Sequence, residues 1–439
     1  MLSADISFSY QDGTEIFSGF RFSIPDGGKI RIISEPGSGK TTLARILTGG
    51  APSYSGGKLE GSVILNGLNL LDMDISSRLP IAGRVSQNTD EMMLFSSVEE
   101  EIAFPLCNLG LEEKEIENRI KKVLALFGLE GYEGVASSEL SGGEKRRLML
   151  AILFAVDPEL YILDESFDEL SPEWRKKLAE LIEASDRMFI ILGSHETEEY
   201  GFLPGEIVSI ENGKAAEYRK AAMPAISFHS KFEDTALTAS DIVVRRFHKS
   251  IREDESFVLS VPSFSVHKGE CTVITGGNGT GKSSFSRVLC GLLDEERGSV
   301  QIDGKVLSPK ERRKSVAYLM QNPYEELFLP TVKDEALSSG ADEKEIDEAF
   351  DLFGLRPEWY TAEISYGRAK MLQAMLFYLL KRPFAIFDEF DSALPYEESI
   401  GVIERYMERG SGVIVITHDL AFASNLPGKH MKVIDGVLS

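Results

Sequence analysis

Short continuous apolar runs, each closed by glycines or acids, alternate along this chain with stretches of helical period. IRIIS (Ile30–Ser34) leads into a glycine-rich turn and then TLARILTG (Thr42–Gly49). LYILDE (Leu160–Glu165) and FAIFDE (Phe384–Glu389) are apolar runs ending in two acids, and ILGSHE (Ile191–Glu196) and VITHDL (Val415–Leu420) are apolar runs ending beside a histidine. Runs this short and this apolar read as strands buried on both faces. Their alternation with helical patterns predicts a doubly wound α/β core. In EEKEIENRIKKVLALFGL (Glu112–Leu129), Ile116, Ile120, Val123, Leu124 and Phe127 share one helical face, and EKEIDEAFDLFGL (Glu343–Leu355) has a similar pattern. These segments predict a helical insertion on the α/β core.

The pattern occurs twice. GSVILNG (Gly61–Gly67) recurs as GSVQIDG (Gly298–Gly304), and LFGL at Leu126–Leu129 recurs at Leu352–Leu355. PGSGKTT around Lys40 recurs as NGTGKSS around Lys282, QNTDEMMLF from Gln87 as QNPYEELFL from Gln321, and YILDES from Tyr161 as AIFDEF from Ala385. Order is kept while the offset shrinks, which describes a duplicated domain whose second copy has lost loop residues. The first copy is expected over residues 1–220, closing after VSIENGK (Val208–Lys214). A linker containing Pro224 is expected over 221–240, and the second copy over 241–439, opening near DIVVRRF (Asp241–Phe247).

Composition narrows the classes. The chain has 439 residues, too many for one ordinary domain, and 43% hydrophobic with 27% charged residues is the balance of a globular protein with a core. Lys and Arg total 47 against 70 Asp and Glu, a formal charge of −23. That surface repels phosphate backbones and anionic lipid, so no nucleic acid is expected as the main partner. No apolar run reaches the roughly 18 residues of a membrane span; Leu148–Val156 stops at Asp157. The opening MLSADISFSYQDG lacks the order of a signal peptide. Cys107, Cys271 and Cys290 show no pairing pattern and are expected as small buried hydrophobes of a reducing compartment. The expected location is cytosolic.

Two segments carry phosphate chemistry. Ser34–Thr41 and Gly276–Ser283 each follow an apolar strand and open a helix, the context of a phosphate loop. Gly37, Ser38 and Gly39, with Gly279, Thr280 and Gly281, let backbone N–H groups wrap phosphates at a helix N-terminus, with Thr42 and Ser284 in the first turn. Lys40 and Lys282 reach the β- and γ-phosphates, and the Thr41 and Ser283 hydroxyls ligate Mg²⁺. The first loop opens with Ser34 where glycine is usual. Asp164 and Asp388 belong beside the Mg²⁺, Glu165 and Glu389 near the attacking water. His195 and His418 lie at matching distances beyond and are candidate γ-phosphate contacts.

LSGGEKRR (Leu140–Arg147) stands ahead of Asp164 at the spacing by which ISYGR (Ile364–Arg368) precedes Asp388. LSGGE followed by basic residues matches the signature motif of ATP-binding-cassette (ABC) ATPases, and the whole chain resembles two fused domains of that family. The resemblance implies ATP with Mg²⁺ as ligands and an intramolecular pseudo-dimer. In it, Ser141, Gly142 and Gly143 close on the second phosphate loop, and Ser365 and Gly367 on the first. It implies adenine stacking at Tyr10 and Phe247, either of which could equally be a core aromatic. It also assigns Gln87 and Gln321 to the Mg²⁺-sensing loop that touches a membrane partner. Glycine allows close backbone approach, so Tyr366 and Ser34 predict that the site served by Lys40 is the slower of two unequal sites. Ser171 and Pro395 stand where the family usually has Asp, which bears on communication between the sites.

Gln321–Val332 (QNPYEELFLPTV) is similar to the segment of energy-coupling-factor (ECF) importer ATPases, and Gln87-Asn88, Phe95 and Ser97–Phe104 match more loosely. This resemblance implies a transmembrane coupling protein, separate substrate-capture membrane subunits, uptake of a vitamin or metal ion, and a peripheral position on the cytoplasmic face of the cell membrane. Phe95, Leu327 and Phe328 are candidate docking anchors or ordinary core residues. The alternatives are the tandem ATPase of another importer class, such as sugar uptake, and a soluble ribosome-associated ABC protein. The short linker and acidic surface disfavour the latter.

Overall fold

A computed structural model describes the chain except residues 12, 36, 87–92, 168–169, 195–200, 220–231, 248–255, 278 and 363. The described residues fall into two compact units, one up to residue 219 and one from residue 232 onward. In the first, Glu15–Ile24, Leu2–Ser9, Lys58–Leu65 and Leu68–Asn69 form an antiparallel sheet in that order. A second sheet runs Lys214–Glu217, Glu206–Glu211, Lys29–Ile33, Met188–Gly193, Leu160–Asp164, Ala82–Val85, parallel except at the Lys214–Glu217 edge.

The apolar runs are continuous because both faces of this sheet are covered. Leu160 and Ile162 meet Leu43, Ile46 and Leu47 of the helix Lys40–Thr48. Tyr161 and Leu163 meet Leu148 and Ala151 on the opposite face. That second core belongs to the predicted insertion, the helices Val98–Asn108, Glu113–Leu126 and Gly142–Val156. Ile120, Val123, Leu124 and Phe127 of the predicted apolar face are buried, and Ile116 packs at its edge.

In the second unit ten strands join one sheet among the described residues. Cys271–Gly276 lies between Lys429–Ile434 and Gly412–Ile416, followed by Phe384–Asp388 and Val316–Leu319, all parallel. The long hairpin Glu233–Phe247 and Ser256–Lys268 attaches through Ser260 opposite Val437. Glu233–Ser240 is thus strand where the sequence suggested linker: ALTAS (Ala236–Ser240) pairs with Ser263–His267 and gains ladder hydrogen bonds that small residues do not advertise. The helices Val332–Ser338, Glu343–Phe353 and Tyr366–Leu379 form this unit's insertion.

Cys271 and Cys290 are buried as expected, and burial pushes their thiols up to about 12 and about 11. Cys107 is exposed, contrary to expectation, on a turn of Val98–Asn108 that faces away from the core. Among the described residues no helix is long and apolar enough to cross a membrane.

Candidate functional site

Each phosphate loop is a tight strand-to-helix turn held by its own lysine. Gly39 and Gly281 cap the helices Lys40–Thr48 and Lys282–Leu289 with the same left-handed geometry, φ 103° and ψ 7°, which only glycine adopts without strain. The buried Lys282 Nζ donates to the carbonyls of Gly276 (2.8 Å) and Gly277 (2.9 Å), and Lys40 Nζ to those of Ser34 (2.5 Å) and Glu35 (3.0 Å). Burial pulls both ammonium groups down, and the charges of Glu165, Asp164 and Glu35 at Lys40, or of Glu389 and Asp388 at Lys282, offset part of that. Gly37 and Gly279 turn the loops at φ 81° and 75°. In the first turns Thr42 and Ser284 are buried, and Tyr10 Oη lies 2.8 Å from Thr42 Oγ1. Tyr10 therefore stands beside the loop while packing against the core. Phe247 ends the strand Glu233–Phe247, and its side chain lies outside the described atoms.

The acidic strand ends face these loops. Asp164 and Asp388 are buried, and burial raises both carboxyls against the pull of the neighbouring lysines. The Thr41 hydroxyl hydrogen-bonds Asp164, and Ser283 bonds Asp388. Asp164 Oδ2 is buried without a hydrogen-bond partner among the described residues. A hydroxyl and an orphaned carboxylate oxygen beside a phosphate loop form a hard-oxygen donor set suited to Mg²⁺. Glu165 and Glu389 have left-handed backbones, φ 50° and 48°, a cost that a site retains when it aims a side chain.

Around Glu389 the geometry is complete. Gln321 Nε2 donates to its Oε2 at 2.7 Å, and His418 Nδ1 lies 3.5 Å from its Oε1. Burial would raise this carboxyl; the His418 hydrogen bond and charge, with Lys282 and Lys370, override it and hold the group well below the ordinary carboxylate range. An ionised carboxylate flanked by a carboxamide and an imidazole can accept a proton from, and orient, a water beyond the phosphate loop. Around Glu165, Ser194 Oγ donates to Oε1. Gln87 and His195 lie outside the described residues.

The signature segments cap helices. Ser141 and Glu144 form a capping box, with Ser141 Oγ donating to Glu144 Oε2 at 2.7 Å and Gly142 and Gly143 opening the helix. Ser365 caps through the Arg368 N–H at 3.3 Å without a box, and Gly367 is in the first turn. Tyr366 Oη donates to the Gln321 carbonyl at 2.5 Å, so this ring engages its own unit. Ser171 and Pro395 are the N-caps of Pro172–Glu183 and Tyr396–Glu408.

Several contributors escaped the sequence reading. Tyr318 Oη donates to Asp388 Oδ2 at 2.7 Å, and Arg84, at the matching position in the first unit, supports the Asp164 charge. A polar tip inside a buried apolar strand was the available signal for both. Lys370 Nζ donates to the Glu389 carbonyl, and to Ser392 Oγ at 3.0 Å. Among basic residues after the signature motif, nothing had singled it out.

The profile of the family described as ABC transporter matches residues 17–168 and 259–392. An ABC transporter ATP-binding protein of Treponema denticola, provisionally so named, is 29% identical over 460 residues, covering 96% of this chain and 93% of that protein. YkoD of Bacillus subtilis, provisionally named an HMP/thiamine import ATP-binding protein, is 26% identical over 476 residues, covering 96% and 87%. A solved structure of cbiO1 from Clostridium perfringens, part of the ABC transporter complex cbiONQ, aligns at 24% identity and a TM-score of 0.43, covering 49% of this chain and 86% of that one.

Proposed function

We propose, from the premise that this chain belongs to the ABC transporter family as a tandem ATPase, that it energises a membrane importer of the ECF type, for vitamin or metal-ion uptake, through two unequal MgATP sites. The observation that carries the reading is a duplicated arrangement: each phosphate-loop lysine faces its own Asp–Glu strand end.

In this reading the loop N–H groups and Lys40 or Lys282 bind and orient the triphosphate. Thr41 with Asp164, and Ser283 with Asp388, hold Mg²⁺, which when bound neutralises phosphate charge. Gln87 and Gln321 sense the same ion. Glu165 and Glu389 orient the attacking water and accept its proton, and His195 and His418 steady the γ-phosphate side. Tyr10 and Phe247 stack on adenine. Each signature segment completes the other copy's site, so the copies work as an intramolecular pseudo-dimer: domains 1–220 and 241–439 joined through 221–240.

The import direction rests on the likeness to YkoD, and the ECF type on the segment Gln321–Val332. The partners are a transmembrane coupling protein and substrate-capture subunits that hold the chain at the cytoplasmic face of the membrane. Phe328 is 82% exposed beside a cleft of about 190 Å³ lined by Glu326, Glu335, Gln373 and Phe377, which supports docking there. Leu327 packs against the core and Phe95 rests on Phe104, which makes them supports for a docking surface and leaves Phe328 as its anchor.

The test is twofold. The full chain should hydrolyse MgATP and lose turnover when Lys40 and Lys282 are both replaced by Ala. Affinity purification from native membranes should bring down small integral membrane proteins, and Phe328→Asp should release them. ATP turnover with only ribosomal proteins attached would defeat the importer reading.

A further inference from the structure

In the second unit, one face of the helix Tyr366–Leu379 is tied to the residues around Glu389. Three side chains at helical spacing make the connection: Tyr366, Lys370 and Gln373. Tyr366 Oη donates to the Gln321 carbonyl at 2.5 Å. The carboxamide of that same Gln321 donates to Glu389 Oε2 at 2.7 Å. One turn along, Lys370 Nζ donates to the Glu389 carbonyl and to Ser392 Oγ. A further turn along, Gln373 Nε2 donates to the Met320 carbonyl at 3.3 Å and to Glu326. The return contact comes from Tyr324, whose hydroxyl donates to the Ile364 carbonyl at 2.8 Å and whose ring meets that of Tyr366 edge-on at 6.0 Å. Two tyrosines thus cross-link Gln321–Tyr324 to Ile364–Tyr366, one from each side.

The first unit is wired differently. At the positions matching Tyr366, Lys370 and Gln373 it carries Gly142, Arg146 and Met149. Gly142 has no side chain to donate, and Arg146 Nη1 reaches the Ser86 carbonyl at 2.6 Å.

We propose that Tyr366 is a positioning residue for the ATPase reaction: through the Gln321 backbone it sets the carboxamide that orients Glu389 of its own copy. This deepens the ATPase reading and rests on it. The residue that breaks the glycine pattern of the second signature then has a task within its own copy. It is a tether that lets any tilt of the helix Tyr366–Leu379 move the catalytic glutamate beside it.

The experiment uses Tyr366→Phe in the full chain, which keeps the ring and removes one oxygen. Loss of one neutral hydrogen bond predicts that kcat for MgATP falls roughly three- to tenfold. KM should stay within about twofold, since no nucleotide contact is removed. In a Gln321→Ala background the same change should have little further effect, because the carboxamide it positions is gone. Hydrogen exchange should quicken over residues 317–328 and stay unchanged over 384–388. Additive losses in the double variant, or unchanged exchange over 317–328, would overturn the tether. A parent chain without ATP turnover would defeat the ATPase reading instead, and exchange would still decide the tether.

Discussion

The two phosphate loops reach similar geometry from different residues at their first position. Gly276 has φ 153°, and a Cβ built there would stand 2.7 Å from the Val433 carbonyl oxygen. Ser34 instead uses its hydroxyl, accepting the Ile210 N–H at 2.6 Å and lying 3.3 Å from Ser209 Oγ, so it is stitched to the neighbouring strand Glu206–Glu211. A departure from the usual glycine is therefore a local replacement for a backbone fit. Behind the acids the divergence continues: a neutral Tyr318 hydroxyl meets Asp388, and a half-buried Arg84 charge supports Asp164. The groups facing the loop (lysine, hydroxyl, aspartate, glutamate) are the same in both units, and those that brace them differ. Identity of chemistry thus coexists with unequal support.

The largest effect should come from the glutamates. Glu389 is braced by Gln321, His418 and Lys370. Glu389→Gln should remove nearly all ATP turnover, in line with the roughly 10²–10⁴-fold value of a positioned base. Glu165→Gln should leave a substantial fraction. Steady-state phosphate release from the two variants measures this directly, and equal losses would break the asymmetry.

Next come the loop openings. Gly276→Ala forces a side chain into a backbone contact at a strained φ, and should cost about 1–3 kcal/mol in urea denaturation with weaker ATP binding. Ser34→Gly restores the usual residue yet removes the acceptor for a buried N–H, so it should destabilise the first unit by about 1 kcal/mol. A gain in stability from Ser34→Gly would show that the hydroxyl is not what supports the first loop.

How much was legible follows from where information is local. The phosphate loops, acidic strands and helical insertions were readable because each depends on a short run whose period or composition determines it. The apolar face around Ile120 and Phe127 is one such run. The polar tips of Tyr318 and Arg84 were visible as exceptions in apolar strands, but what they and Lys370 touch was not readable, because only the folded chain brings them to their partners. The strand Glu233–Phe247 was partly missed for the same reason: Ala236–Ser240 is made strand by its partners rather than by its own side chains.

The smallest effect separates the units by pH. Glu326 lies in the cleft beside Phe328, and burial pushes its carboxyl up to about 7. The Gln373 hydrogen bond, the Met320 backbone and Arg382 oppose this rise only in part, and Glu325 adds to it. A carboxyl raised on folding favours the folded state below its unfolded pKa, near 4.5, and that advantage is lost as pH rises towards 7. Above pH 7 the ionised group is a standing penalty. Glu326→Gln keeps an acceptor for Gln373 and removes the charge. It should therefore stabilise the protein by about 1 kcal/mol at pH 8, and the gain should shrink to nothing near pH 4.5. The first unit has Met92 and Met149 at the matching sequence positions, so no such dependence should follow from Met149→Leu. Urea midpoints at pH 8 and pH 5 measure the difference; a gain that does not change with pH would mean that Glu326 is ionised in neither condition or both, and that the cleft does not distinguish the second unit.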